Sequence, residues 1–167
     1  ENVGSKITAK ADLKIKSKDD IRNTSGKIKG GNVSLESTQG SVINETSTQA
    51  SGNENRFITT IGKTAGIEAT NNLDITAEEN IVVLGADVIA GGDAALDAAD
   101  DITFDTIVDK TTNSGRSFAG GSESSVTTTT ENNTGSNLQV GNNLKLNSGG
   151  DTTLAGSNAA VGGNLDA

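Results

Sequence analysis

One phrase recurs along this chain: ADLKIKSKDDI from Ala11, NNLDITAEENI from Asn71 and NNLKLNSGGDT from Asn142. Each copy sets Asn or Asp immediately before an aliphatic or β-branched residue near both ends, and Leu13 to Ile21, Leu73 to Ile81 and Leu144 to Thr152 are all eight residues apart. The signal returns twelve or thirteen residues later, at Val33, Ala94 and Leu165, so the repeat is twenty to twenty-one residues long. A fixed period in that range marks a solenoid, in which a unit too small to bury its own apolar face does so against its neighbours.

The other half of the repeat reads GSKITAKADL from Gly4, GKIKGGNV from Gly26, GADVIAGGDA from Gly85 and GSNAAVGGNL from Gly156. With a single deletion the four align, Gly first, aliphatic residues in the middle and small residues before an Asx. Runs of two to five residues with period-two alternation are too short for helices and long enough for strands. Three short strands per repeat, separated by Gly and Asx corners, predict an all-β chain wound as a parallel β-helix. The alanine-rich GGDAALDAADD stretch is expected to be strand as well.

Ten Asx residues precede the first residue of an expected strand: Asp12, Asp20, Asn32, Asn72, Asn80, Asp93, Asp101, Asn143, Asp151 and Asn164. Asn and Asp tolerate left-handed backbone angles and hydrogen-bond their own downstream amides, which suits them to corners, and stacked coils would set them in ladders. The acidic pairs Asp19-Asp20, Glu78-Glu79 and Asp100-Asp101 recur in phase with the repeat, which favours a structural role over a catalytic one. Alternation from the corners puts Leu13, Ile15, Ile21, Val33, Leu73, Ile75, Ile81, Ile102, Leu144 and Leu146 inward, and Lys14, Lys16, Asp74 and Lys145 outward. Aromatics are 2% of residues, only Phe57, Phe104 and Phe118. A β-helix has a narrow interior that stacked aliphatics can fill without them. The polar composition and net charge of −9 also suit a disordered chain, but disorder carries no phased repeat.

Two segments break the period, 44–70 and 105–137. The first holds a Gly52-Asn53-Glu54-Asn55 turn signal between Thr-rich arms, and an apolar stretch at Phe57 to Ile61. The second offers Asn113-Ser114-Gly115 as a turn and a β-prone run from Val126 to Thr130. Both are expected to leave the coil as hairpins or loops on one side, where solenoids often carry binding specificity; a tolerated excursion with no partner is the plain alternative.

Eight of the thirteen basic residues lie within the first 29 positions, where only four acids sit, leaving +4 at that end and −13 elsewhere. A solvated strand face accounts for this. Without stacking aromatics and with a pI near 4.4, no nucleic-acid partner is expected. The chain lacks His and Cys, which removes Ser-His-Asp triads, Cys-His dyads and the usual zinc sites. It has no G-x-x-x-x-G-K-[ST] phosphate loop. GGNVSLEST and GGDAALDAA lack the third Gly and the nine-residue period of calcium-binding β-solenoids, so neither metal nor cofactor is expected. Absent Cys suits a chain exported unfolded, and equally a cytosolic one. No secretory signal and no eighteen-residue apolar run is present. Both ends fall in mid-repeat, and the chain reads as one segment excised from a larger protein.

The pattern G-S-x-I/V-x-A-G-G-D/N-L-x-L/I-x-A, as in GADVIAGGDAALDAADDI from Gly85, resembles the haemagglutinin repeats of filamentous haemagglutinins, two-partner-secretion exoproteins and contact-dependent growth inhibition toxins. The stretch VINETSTQASGNENRFITTIGKTAGIEATNNLDITA is similar to the segment preceding those repeats, and the Ser/Thr-rich insertion from Asp105 is similar too. The resemblance covers nearly the whole chain. It implies a right-handed parallel β-helix, exported by an outer-membrane partner transporter and displayed as a filament holding an adhesive or toxic tip that meets a host or neighbouring-cell receptor. A structural and binding segment of a secreted surface exoprotein, not an enzyme, is the function expected. End-to-end self-association of the isolated segment is expected from its cut ends. The alternative is a β-helical polysaccharide lyase or glycosidase, against which the scarcity of aromatics for sugar stacking argues.

Overall fold

The computed structural model describes residues 1–53 and 55–167, and among them the only regular elements are strands. The first coil runs through β1 (Asn2–Val3), β2 (Lys6–Thr8) and β3 (Leu13–Ser17), the second through β4 (Ile21–Thr24), β5 (Lys27–Gly30) and β6 (Val33–Ser37). The third consists of β7 (Val42–Glu45), a hairpin of β8 (Thr48–Asn53) and β9 (Arg56–Ile61), then β10 (Gly66–Ala69) and β11 (Leu73–Ala77). The fourth is uninterrupted: β12 (Ile81–Leu84), β13 (Asp87–Ala90) and β14 (Ala94–Ala98). The fifth holds β15 (Ile102–Asp105), a hairpin of β16 (Ile107–Ala119) and β17 (Ser122–Thr134), then β18 (Asn137–Val140) and β19 (Leu144–Ser148); the last is β20 (Thr152–Leu154), β21 (Asn158–Val161) and β22 (Leu165–Asp166).

The first, second and third strands of successive coils stack into three six-stranded sheets, here A, B and C, in which every neighbour pair is parallel. The protein is a parallel β-helix. Sheet C follows the sequence repeat: Leu13, Val33, Leu73, Ala94, Leu144 and Leu165 are register partners in that order. The alanine-rich stretch is strand β14. Here Ala94, Leu96 and Ala98 point inward.

Ile21, Val33, Leu73, Ile75, Ile81, Ile102, Leu144 and Leu146 are buried, and Phe104 is the one buried aromatic. Leu13 and Ile15 are only half-buried and pack on the rim of this core. Their strand β3 ends sheet C and has a coil on one side only.

The core is not wholly apolar. Asn2, Asn23 and Asn44, twenty-one residues apart, are register partners in sheet A and point inward. Asn2 Nδ2 donates to Asn23 Oδ1 at 2.7 Å, and Asn23 Nδ2 donates to Asn44 Oδ1 at 2.7 Å. Each of the three amides also donates to a backbone carbonyl, of Ser5, Gly26 and Asp87 respectively, which offsets the cost of burying a polar stack. From the fourth coil on the same position is apolar: Val83, Phe104, then Leu154. Gly26 stands beside this ladder, where any side chain would strike Asn2 and Asn23. In register Gly26 follows the corner residue, and Ser25, with φ of 50°, is the counterpart of Gly4; the single deletion falls later, between β5 and β6, where the offset from the first coil drops from 21 residues (Lys6–Lys27) to 20 (Leu13–Val33).

Candidate interaction surface

The corner between sheets A and B is where the chain leaves the helix. Gly4, Gly85 and Gly156 turn it with φ between 53° and 58°. Thr46 and Thr106 hold the same place in the third and fifth coils, and from there the hairpins depart. A detour leaves backbone groups of the neighbouring coil unpaired, and buried hydroxyls meet them. Thr46 Oγ1 donates to Gly85 O at 2.6 Å and accepts from Ala65 N at 3.0 Å. Ser136 Oγ lies 2.7 Å from Asp105 O and 2.9 Å from Val83 O.

The excursions are narrower than the sequence suggested, because 44–45 and 66–69 belong to coil strands, as do Asp105 and Asn137. Coils stack at ~4.8 Å, the spacing of strands within a sheet, so a two-stranded hairpin occupies the axial room of two coils. Hairpins from the third and fifth coils therefore meet side by side. β9 pairs antiparallel with β16 through Ile58–Thr111, Phe57–Thr112 and Arg56–Asn113, giving a four-stranded sheet ordered β8-β9-β16-β17.

The expected turn at Asn113-Ser114-Gly115 is wrong: these residues lie inside β16, opposite Val126 to Thr128. The reversal is at Gly120-Gly121, with φ of 61° and 82°, the positive pair that a two-residue turn matched to strand twist requires. In the first hairpin the expected turn includes Glu54, which lies outside the described residues; Asn53 Oδ1 accepts from the amides of Asn55 and Arg56 at 3.0 Å.

The ten Asx residues stand directly before strands of sheets C and A, in two files. In the first, Asn32 Nδ2 donates to Asp12 Oδ1 at 2.7 Å, and the amides of Asn72, Asp93, Asn143 and Asn164 donate in turn to Oδ1 of Asn32, Asn72, Asp93 and Asn143 at 3.0–3.2 Å. The second runs from Asp20 through Ser41, Asn80 and Asp101 to Asp151. Ser41 takes an Asx place that sequence reasoning overlooked. The expected mechanism needs correcting: none of the ten has a positive φ, and seven of them accept from the backbone amide one coil on, not from their own downstream amide, while Asp12 takes the Asn32 side chain and Asp151 and Asn164 end the two files. The ladder therefore locks coil to coil.

Five of the eight basic residues at the basic end are paired across coils. Lys16 and Lys14 meet Glu36, Arg22 meets Glu45, Lys29 and Lys27 meet Glu68, and Lys27 also reaches over Gly66 to Asp87 at 3.5 Å. The hydrogen bond from Lys16 holds the Glu36 carboxyl below its ordinary range, and that from Lys29 does the same for Glu68; partial desolvation opposes both. Among the described residues no three carboxylates gather closely enough to hold a metal ion. The acidic pairs Asp19-Asp20, Glu78-Glu79 and Asp100-Asp101 occupy the corner leading into sheet A, strung along the stack.

The hemagglutinin repeat family matches residues 47–118 and 115–167. The chain belongs to this family. It is 32% identical over 165 residues to a tRNA nuclease CdiA of Escherichia coli (strain STEC_O31), covering 95% of the chain and 5% of that protein. It is 33% identical over 115 residues to a tRNA nuclease CdiA of Yersinia mollaretii, covering 60% of the chain and 4% of that protein. A 16S rRNA endonuclease CdiA of Enterobacter cloacae is 38% identical over 86 residues, 49% of the chain and 3% of that protein. The chain thus spans about a twentieth of these relatives. No solved structure matches it significantly.

Proposed function

We propose that this chain is a length of stalk from a large secreted bacterial exoprotein, exported by an outer-membrane partner transporter and displayed at the cell surface to carry an active part away from the cell. The observation that carries this reading is that family membership coincides with a coil-on-coil stack in which polar corners, ion pairs and buried amides bond coil to coil. The match to about a twentieth of each CdiA supports a stalk that delivers a toxin in preference to a free-standing adhesin. The nuclease activities in those names belong, on this reading, to other parts of those proteins, and incubating the chain with tRNA or with polysaccharides should yield no cleavage and no new reducing or unsaturated ends. The ends of the isolated chain present Val3 and Leu165, each 58% exposed, and stack on other copies at high concentration.

The test is excision of the six coils from the parent protein. Imaged at the cell surface, the filament should shorten by ~29 Å, six coil rises, with its active end unchanged in kind. Loss of enzymatic activity from a purified active part that excludes this segment, or an unaltered filament length, would sink the stalk reading.

A further inference from the structure

Strand β17 closes the hairpin sheet and has a neighbour on one side only. All thirteen of its residues are exposed. Natural edges are blunted by Lys, Pro, a bulge or short length. β17 reads SESSVTTTTENNT, without Lys, Arg or Pro, and its register with β16 runs unbroken from Ala119–Ser122 to Ile107–Thr134. Its only charges are met from within the hairpin: Arg116 lies 3.2 Å from Glu123 and Lys110 lies 2.8 Å from Glu131. An incoming strand therefore faces no net charge. In a two-residue hairpin the residues flanking the turn exchange both backbone bonds, and bonded pairs alternate from there. Odd-numbered residues from Glu123 to Asn133 accordingly direct their N–H and C=O groups away from β16.

We propose that this edge pairs antiparallel with β17 of a second copy of the chain, about a two-fold axis at Thr128, joining two hairpin sheets into one. The register overlaps all thirteen residues, with Ser122 opposite Thr134 of the second copy and Ser125 opposite its Glu131. Val126, 63% exposed, gains a β-branched partner in Thr130 of the second copy. Moving the axis to Thr127 would oppose Glu123 and Glu131 directly, and like charges across a strand pair destabilise it. Coaxial head-to-tail joining of β17 to β8 is blocked, because the two coils preceding β8 in the second copy would need the room of the fifth and sixth coils. In the two-fold arrangement the helix bodies lie at opposite ends of a hairpin ~44 Å long and stay clear of each other.

Sedimentation equilibrium of the full chain from micromolar to submillimolar concentration tests this. A monomer–dimer equilibrium is expected. Thr127→Pro removes an outward N–H and leaves the bonds to β16 in place, and it should raise the dissociation constant at least about tenfold. Ser125→Glu, set against Glu131, should weaken the dimer, and Ser125→Lys should tighten it. These two keep the test open if Thr127→Pro disrupts the hairpin. A chain that stays monomeric overturns the proposal, and so does association through the helix ends alone, which Thr127→Pro would leave intact. Equal shifts from Ser125→Glu and Ser125→Lys overturn it as well.

Discussion

At the scale of residues, what holds this protein together is bonding between groups one coil apart. Asn23 is the centre of the buried ladder, so Asn23→Ala would strand the Asn2 donor and the Asn44 acceptor in a dry interior. A loss of about 2–3 kcal/mol is expected from urea unfolding, because unsatisfied buried groups cost their full desolvation. Replacing all three asparagines by Val, the residue found at position 83, should cost much less, since no group is left unpaired. The ion pairs act at lower strength and depend on pH. Glu68 is held below its ordinary value of 4.5, so its contribution is fully present above that value and is lost as pH falls through the lower folded value. Stability should therefore fall as pH drops below about 4.5, and Glu68→Gln should flatten that fall. A Glu68→Gln profile as steep as the parent's would show that the pairing with Lys29 contributes nothing.

At the scale of elements, the hairpins are additions to a helix that closes without them. The uninterrupted fourth coil passes from β12 to β13 through Gly85-Ala86. Joining Val108 to Asn133 by a brief Gly-rich turn keeps Ile107, which is buried at the hairpin root, and should leave most of the stability, because loop length costs only slowly. The remaining hairpin then loses its pairing with β16, and amide exchange in Arg56–Ile61 should accelerate while exchange in β11 and β14 stays slow. Unfolding of the whole chain by this shortening would mean that the hairpin sheet is part of the core.

At the scale of the whole molecule, a solenoid has no single centre, and a defect is felt by its neighbours first. Leu73→Asp falls in the third coil, with two coils before it and three after. An unpaired carboxylate there should cost several kcal/mol and open the stack on both sides. Leu13→Asp falls in an end coil where the side chain is already half-exposed, and it should fray that coil alone. Hydrogen exchange resolved by coil separates the two outcomes; equal, chain-wide loss from both would contradict nearest-neighbour stability.

The sequence by itself determined the architecture, because period and alternation are local properties written into every copy. The spacing of Leu13, Leu73 and Leu144 located the coils, and Gly, Asx and aliphatic residues marked corners and strands. Corner bonding was only half legible: the Asx positions were readable, but that Asn72 binds Asp93 across a coil boundary depends on axial stacking. The exact spacing of Asn2, Asn23 and Asn44 was present in the sequence, yet polarity alone reads as outward, and only register showed them inside. Ser41, Thr46 and Ser136 carried no signal, since a lone hydroxyl acquires its role from the backbone group that a neighbouring coil leaves unpaired. The second hairpin's turn was misplaced because Asn-Ser-Gly and Gly-Gly are both good turn sequences, and the choice fell to the pairing of β16 with β17 and β9. Side-by-side packing of the hairpins was decided in three dimensions alone, by the equality of coil rise and strand spacing.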